Sequence, residues 1–410
     1  MQTANHEPQD QTQDRKKKLL TFAYYLSFIA LGLISGALGP AVPSFAENTS
    51  TALSQVSSLF VFSSLGYISG SIISGYLYNN LAGNKVLMIS IILLGLGVAS
   101  LPVINTLWML LLVIYLVGIM QSITDVGGNT LLVWTHGSKV APYMNGLHFF
   151  FGFGSFIAPL IIAQSLKINL SIKPAFWLMA LLIFLPIFFL FQLASPANPH
   201  KQDLKSVELT PVNKKKRKMT LLVILYFMGF TGAEITFGNW IYTHGLKTAF
   251  LNVETAAYLT SVFWGTVLAG RLLGIALAKK YTCLQFIWFN LIGGVTSLLL
   301  MLAFSDSAAI LWIGTVAFGL SIATGFPSGI NLAEDLNLVT ARITSLIFVA
   351  SSISVMISPW IVGQFIERDG SQILFVVVLA NIIWASLMIL GIDRGKKQIR
   401  DKTISDQETI

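Results

Sequence analysis

Charged residues are scarce in this chain, since Asp, Glu, Lys and Arg together make up only 11% of its 410 residues. An average soluble domain carries roughly 25%. Hydrophobic residues make up 54%, so a water-soluble globular fold is excluded and the surroundings of most of the chain are lipid. The single cysteine, Cys283, excludes an intrachain disulfide and a cysteine-based metal cluster.

Long uncharged apolar runs are abundant. Twelve of them could cross a hydrocarbon core about 30 Å thick as helices, which rise about 1.5 Å per residue. These runs lie at about 20–51, 53–78, 86–104, 107–135, 142–166, 174–194, 219–246, 253–278, 283–304, 308–333, 343–366 and 371–392. The sequence therefore predicts an all-α membrane protein with twelve transmembrane helices.

The basic residues indicate which side of the membrane each loop faces. With both termini in the cytoplasm, 21 of the 26 Lys and Arg residues lie on the cytoplasmic side, four lie outside and Arg271 lies within a span. Such an excess is typical of cytoplasmic loops, and it accounts for the net charge of +8 without a nucleic-acid partner. We predict a multi-pass protein of the inner (cytoplasmic) membrane, in contact with the lipid bilayer, with both termini cytoplasmic.

A polar segment at 195–218 separates six spans from six. It contains three prolines and the basic run from Lys214 to Lys218, and we interpret it as a cytoplasmic linker that contacts anionic lipid. The predicted domains are an N-terminal cytoplasmic tail (1–18), a first six-helix bundle (19–194), the linker (195–218), a second six-helix bundle (219–392) and a C-terminal cytoplasmic tail (393–410).

A nearly constant offset relates the two halves. A shift of 200 residues superimposes Gly32 on Gly232, Gly70 on Gly270, Pro159 on Pro359 and Gln164 on Gln364. Because each repeat has six spans, both halves have the same orientation, and a cavity between them is expected near the midplane. Two pseudo-symmetric six-helix bundles are the layout of the major facilitator fold, in which the bundles expose a central site to one side at a time.

Two acidic residues interrupt otherwise uncharged spans, Asp125 in the fourth and Glu234 in the seventh. An ionisable group in hydrocarbon costs roughly 2.5–3.5 kcal/mol on insertion scales, so it is kept mainly where it faces protein or water and has a function. We predict that both residues couple transport to an ion. The alternative for Asp125 is a pairing with a neighbouring helix that holds the bundle together.

Polar side chains accompany Asp125. Gln121 and Asn129 lie four residues before and after it, which places all three on one face of a helix. Asn145 and His148 lie three residues apart in the fifth span. Carboxylate and amide groups in a column offer the acceptors and donors that sugar hydroxyls require. We predict substrate-binding roles for Gln121, Asn129, Asn145 and His148, with a packing role as the alternative for His148.

The second half offers fewer candidates. Asn239 and Trp240 follow Glu234 in the seventh span and are predicted to bind substrate, although Trp is also common in the belt at a membrane interface. Arg271, near the inner end of the eighth span, is predicted to form a gate or a structural contact, with its stem extending toward the cytoplasm. Pro327 predicts a kink in the tenth span that frees backbone carbonyls.

Four strings resemble the sodium-dependent glucose transporter branch of the major facilitator superfamily, whose relatives include bacterial fucose permeases. They are TDVGGNT at 124–130, LHFFFG at 147–152, GAE at 232–234, and LTSVFWG at 259–265 followed by GRL at 270–272. The resemblance implies a hexose-like sugar carried with a cation, an acidic coupling residue at Asp125 and a sugar contact at Asn129. Fucose permeases have a polar Gln where this chain has His148.

Two features depart from those relatives. Fucose permeases place a second acid in the first span, which here has none before Glu47, so coupling by that pair is not carried over and Glu234 is the candidate replacement. The superfamily loop between the second and third spans has Asn79 where Asp is expected, and one extra residue before Gly83. The charge lock that this loop supplies is therefore predicted to be weak.

The predicted function is a secondary active transporter that moves a hexose-like sugar with Na⁺ or H⁺, as a monomer and without any other cofactor. The alternative is a proton-driven exporter of amphipathic drugs or lipids, with Phe149–Phe151 in a permissive apolar pocket. A membrane sensor is disfavoured because tails of about 20 residues are too short to fold. The sequence has no phosphate loop and no nucleophile and base pair, so we predict no enzymatic activity.

Overall fold

The computed structural model describes residues 7–169, 171–198, 214–248, 251–277, 280–338 and 341–408. Within these ranges, twelve helical segments are long and apolar enough to cross a membrane, which confirms the predicted number of spans. Residues 199–213 of the predicted linker (195–218) and residues 1–6 of the predicted N-terminal tail (1–18) lie outside the described residues. The rest of that tail is helical, and so is the predicted C-terminal tail as far as Glu408.

Fifteen α-helices and two 3-10 turns, at Leu101–Val103 and Gly137–Lys139, make up the secondary structure of the described residues. The helices are α1 (Glu7–Thr49), α2 (Leu53–Val56), α3 (Ser58–Asn80), α4 (Gly83–Ser100), α5 (Leu107–His136), α6 (Ala141–Asn169), α7 (Lys173–Ile183), α8 (Leu185–Gln192), α9 (Lys214–Lys247), α10 (Val253–Leu277), α11 (Cys283–Ala303), α12 (Ala308–Ile322), α13 (Gly325–Asp335), α14 (Ala341–Phe365) and α15 (Ile373–Glu408). Three spans consist of two consecutive helices each: α2 with α3, α7 with α8, and α12 with α13.

A proline accounts for the interruption of the tenth span. α12 ends at Ile322, α13 begins at Gly325, and Pro327 lies in the first turn of α13. A proline has no N–H to donate, and its ring clashes with the carbonyl four residues earlier, which here is the carbonyl of Ala323. The kink that the sequence predicts at Pro327 is therefore present, as a break at 323–324.

The chain forms two compact units. The first takes in the described residues of Met1–Ser206 and Leu251–Trp264, and the second takes in those of Val207–Phe250 and Gly265–Ile410. This grouping differs from the predicted bundles in one segment. Residues 251–264, which include the start of α10, belong to the first unit, whereas the sequence predicts them in the second bundle (219–392). Lys167 on α6 pairs with Glu254 at 2.9 Å, and Gln164 donates to the Tyr258 hydroxyl at 2.6 Å. These contacts attach the start of α10 to the first unit.

Equivalent helices pack in the same way inside each unit. In the first unit α1 packs along α6, and in the second α9 packs along α14. A Cβ at Gly32 on α1 would collide with the α6 backbone at Phe151, and a Cβ at Gly232 on α9 would collide with Ser354 on α14. Glycines related by the shift of 200 residues thus permit the same close helix pair twice, as expected of internal repeats.

Glycines also bring α3 and α5 into backbone contact in the first unit. A Cβ at Gly66 would collide with the carbonyl of Tyr115, and a Cβ at Gly118 would collide with the carbonyl of Ser63. Small residues of this kind let membrane helices approach closely. As a result, side chains from α3 can reach polar groups on α5.

We expect Gly118→Val to force α3 and α5 apart and to destabilise the folded protein by roughly 1–3 kcal/mol, the usual cost of overpacking an interior. Thermal unfolding of the purified protein in detergent measures the effect. Gly75→Val is the matched control, because a Cβ at Gly75 on the same helix pair would meet nothing within 4 Å. An equal loss of stability in both variants would contradict this account of the packing.

A group of neutral hydrogen bonds centred on Asn84, called here the Asn84 lock, joins α1, the start of α4 and the segment after α8 in the first unit. Asn84 is buried, and its side-chain oxygen accepts from the Tyr24 hydroxyl on α1 at 3.0 Å. Its side-chain amide donates to the carbonyls of Leu193 and Ala194 at 3.0 and 3.2 Å, and its backbone N–H donates to the Ser195 hydroxyl at 2.7 Å. The loop whose charge lock is predicted to be weak therefore holds its neighbours with neutral hydrogen bonds.

Candidate functional site

The carboxylate of Asp125 is the centre of a polar cluster in the first unit. One oxygen, Oδ2, accepts a hydrogen bond from the hydroxyl of Tyr67 on α3. The other, Oδ1, accepts from the side-chain amide of Asn129 at 2.8 Å, one turn further along α5. The same amide also donates to the backbone carbonyl of Asp125 at 3.0 Å. Each carboxylate oxygen therefore has a neutral donor.

His148 approaches this cluster from α6. It interacts electrostatically with Asp125, and its ring packs edge-on against Phe28 on α1, with the ring centroids 5.8 Å apart. The His148 residue is nevertheless exposed. An exposed imidazole beside a carboxylate favours the predicted contact with substrate or ion over the alternative of a buried packing residue.

Asp125 differs from Glu234, the other acid inside a span, in its charge balance. In the described part of the chain, the salt bridges are Lys167–Glu254, Arg271–Glu234 and Arg368–Asp369, and none of them involves Asp125. Two neutral hydrogen bonds lower the cost of keeping a charge away from bulk water, but they do not cancel the charge. The half-buried carboxylate of Asp125 is therefore suited to bind a cation.

Glu234 on α9 has the opposite environment in the second unit. It is only 6% exposed, and its Oε1 lies 3.1 Å from Nη2 of Arg271 on α10. Arg271 also donates through Nε to the carbonyl of Ala323 at 3.4 Å. The expectation that Arg271 extends toward the cytoplasm is thus corrected: its guanidinium turns to a buried carboxylate and to the carbonyl that Pro327 displaces.

Further hydrogen bonds hold the residues at the break between α12 and α13. The Tyr226 hydroxyl on α9 donates to the carbonyl of Gly325 at 3.0 Å. Asn290 on α11 and Thr324 exchange hydrogen bonds of 3.1 Å through their side chains. The first contact gives a backbone carbonyl beside the break a partner, as apolar surroundings require, and the second joins the break to α11 through side chains. With Arg271, these side chains fix the break from three neighbouring helices.

The other predicted binding residues of the first unit lie near the Asp125 cluster along the chain. Gln121 is half-buried one turn before Asp125 on α5. Asn145 is exposed one turn before His148 on α6. Gln121 and Asn145 are thus each one turn along their helix from Asp125 and His148, and a substrate contact from either stays a prediction.

The predicted binding residues of the second unit are packed inside it. Asn239 is buried, and Trp240 is fully buried with its indole N–H donating to the carbonyl of Pro359 at 2.9 Å. This packing leaves no face of the indole open to a sugar ring. A sugar contact from Trp240 stays a prediction that the arrangement does not support.

Tyr67 is the principal residue of the site that the sequence does not predict. It lies 58 positions before Asp125, so no local spacing connects the two. The only signal in the sequence is indirect, since the glycines at 66 and 70 indicate that this part of α3 packs closely against another helix. Which helix that is cannot be read from the glycines alone.

These features define a multi-pass membrane protein with two related helical units and ionisable side chains inside its spans. The family model of the Major Facilitator Superfamily matches residues 24–359. The chain belongs to the Major Facilitator Superfamily.

Curated relatives and solved structures agree with this assignment. Sodium-dependent glucose transporter 1 of Homo sapiens is 31% identical over an alignment that covers 94% of this chain and 82% of that protein. The Danio rerio protein of the same name is 28% identical, with 90% of this chain and 68% of that protein covered. A crystal structure of the nucleoside transporter NupG has a TM-score of 0.71 at 13% identity, over 93% of this chain and 99% of that one. The relatives confirm the resemblance found in the sequence, and the solved structure confirms the fold.

Proposed function

We propose that the protein is a secondary active transporter that moves a hexose-like sugar across the membrane by alternating access, coupled to Na⁺ or H⁺. The observation that carries this proposal is the carboxylate of Asp125, which lies inside a span with two neutral hydrogen-bond donors. An ionisable group in such a position marks an ion or substrate pathway. The similarity to proteins named sodium-dependent glucose transporters supports both a sugar and a coupling cation.

The surroundings of Asp125 support a polar substrate. Gln121 and Asn129 on α5, with Asn145 and His148 on α6, supply donors and acceptors on two neighbouring stretches of the first unit. Sugar hydroxyls need both kinds of group. An exporter of amphipathic compounds would need a mainly apolar pocket, and no relative described above is named as such an exporter. We therefore favour the sugar.

We assign ion coupling to Asp125 and a structural role to Glu234. The Arg271 guanidinium already balances the charge of Glu234 at 3.1 Å, and a paired buried carboxylate gains little from a further cation. Asp125 takes part in none of the salt bridges given above, and its two oxygens accept from the neutral groups of Tyr67 and Asn129. Arg271 remains a candidate for gating, because it connects α9, α10 and the break between α12 and α13.

The placement in the cell follows from the distribution of charge. The excess of basic residues in one set of loops supports an inner-membrane protein with both termini in the cytoplasm. The basic run that begins α9 lies next to a span, where it would contact anionic lipid instead of nucleic acid. One copy of the chain is proposed to suffice for transport, with no cofactor beyond the coupling ion.

Uptake of a radiolabelled hexose panel into proteoliposomes tests the proposal. The purified protein is reconstituted with an imposed Na⁺ gradient, an imposed H⁺ gradient, or neither. Accumulation above the external concentration under one gradient is the expected result, and it identifies the ion at the same time. Absence of uptake for every hexose under all three conditions would refute sugar transport, and efflux of amphipathic compounds would then be measured.

A further inference from the structure

We propose that Tyr67 competes with the coupling cation for the carboxylate of Asp125 and thereby sets how readily the cation is released. This inference rests on the proposed function, since it concerns the same coupling site. It goes further because it gives a defined step in the transport cycle to a residue on another helix.

The two donors to Asp125 differ in their freedom. The Asn129 amide is held on two sides, because it donates to Oδ1 at 2.8 Å and to the backbone carbonyl of the same Asp125 at 3.0 Å. The Tyr67 hydroxyl has Oδ2 of Asp125 as the partner that the structure provides. Rotation about a single C–O bond can turn its hydrogen away, whereas the amide can leave only if the whole Asn129 side chain moves.

A phenol hydroxyl can act in two ways at such a position. It donates one hydrogen and can accept through its oxygen lone pairs. While the carboxylate is free, the hydroxyl donates to Oδ2 and stabilises the negative charge. A cation or a proton that binds Asp125 withdraws electron density from the carboxylate and makes Oδ2 a poorer acceptor for the Tyr67 hydrogen. Binding the cation therefore weakens this hydrogen bond, and releasing the cation restores its full strength.

The location of Tyr67 suits this role. It lies on α3, next to Gly66, at the point where the glycine contacts bring α3 against α5. Both helices belong to the first unit, so the Tyr67 to Asp125 distance is fixed by a close-packed pair. The contact is thus available whenever the cation leaves.

Tyr67→Phe removes the hydroxyl and nothing else. Without the Tyr67 hydroxyl, the cation no longer competes with a hydrogen bond for the carboxylate of Asp125. Because a hydrogen bond to a charged group contributes about 1.5 kcal/mol or more, the half-saturating concentration of the coupling cation should fall about tenfold. The maximal rate of net sugar uptake should fall as well, because the cation leaves more slowly. Exchange of sugar with saturating cation on both sides should keep its wild-type rate, since that cycle does not require cation release.

The matched control is Tyr115→Phe. The Tyr115 hydroxyl donates to the Ser69 hydroxyl at 3.1 Å across the same pair of helices, so this variant loses an equivalent group without touching Asp125. Its half-saturating cation concentration should equal that of the wild type. A general loosening of α3 and α5 would change both variants alike, and that result would overturn the proposal.

A second variant covers the case in which Tyr67→Phe fails to fold. Incorporation of 3-fluorotyrosine at position 67 keeps nearly the same shape and gives a stronger donor. It should raise the half-saturating cation concentration, the opposite direction to Tyr67→Phe. An unchanged or lowered value in this variant would also overturn the proposal.

The proposal and the proposed function fail in different ways. Wild-type protein without gradient-driven sugar uptake refutes the function. Wild-type protein with normal uptake, whose cation dependence is the same in Tyr67→Phe as in Tyr115→Phe, refutes only the role of Tyr67.

Discussion

Asp125→Asn is expected to abolish accumulation of sugar against its gradient while leaving exchange of sugar across the membrane in place. The substitution keeps the size of the side chain and one oxygen that can accept from Tyr67 or Asn129, but it removes the charge that a cation needs. Downhill exchange depends on the sugar-binding groups alone. We expect concentrative uptake in proteoliposomes to fall to the level of protein-free vesicles.

Asp369→Asn is the control for the loss of one acidic charge. Asp369 is 41% exposed and pairs with its exposed neighbour Arg368, outside the Asp125 cluster. Concentrative uptake of sugar by the Asp369→Asn variant should equal that of the wild type. Undiminished concentrative uptake in Asp125→Asn would remove Asp125 from the coupling mechanism and return Glu234 to consideration.

Arg271→Met is expected to be the most destabilising single substitution among the ionisable groups within the spans. It leaves the Glu234 carboxylate, whose side chain is 7% exposed, without its partner. Breaking a fully buried pair from one side costs about 3–5 kcal/mol, and the cost here lies toward the lower end because the Arg271 side chain is 30% exposed. It also removes a donor from the carbonyl of Ala323 at the helix break. The apparent melting temperature in detergent should fall sharply, and the yield of folded protein with it.

The double variant Glu234→Gln with Arg271→Met should recover most of that stability. With the charge of Glu234 removed, no uncompensated ion is left at this pair, and replacing both members of a buried pair is often nearly neutral. Lys167→Met is the control, because the Lys167 side chain is 57% exposed and solvent-exposed pairs contribute little. A double variant as unstable as Arg271→Met would show that the pair has a role beyond charge balance.

The number of spans was predictable because it depends on local sequence. Crossing hydrocarbon requires a long apolar helix, and each run is visible without knowledge of its neighbours. The break in the tenth span was predictable for the same reason, since Pro327 acts on the carbonyl four residues before it. The fold and the membrane character therefore followed from the sequence.

The partners of the buried acids were not predictable in this way. Glu234 and Arg271 lie 37 residues apart, and Asp125 and Tyr67 lie 58 apart. Whether two side chains on different spans meet depends on how each helix is rotated and at what depth it sits, and hydropathy reports neither. The same limit explains Trp240, whose sequence position fits an interfacial belt but whose indole points to Pro359 inside the unit.

The neutral character of the Asn84 lock makes the first unit insensitive to ionic strength at that point. Attraction between exposed charges is screened over about 8 Å in physiological salt and about 3 Å at 1 M. Hydrogen bonds from a buried amide to the carbonyls of Leu193 and Ala194 are not weakened by mobile ions. α1, α4 and the segment after α8 should therefore stay joined equally well in dilute and concentrated salt, where a lock built from opposite charges would loosen.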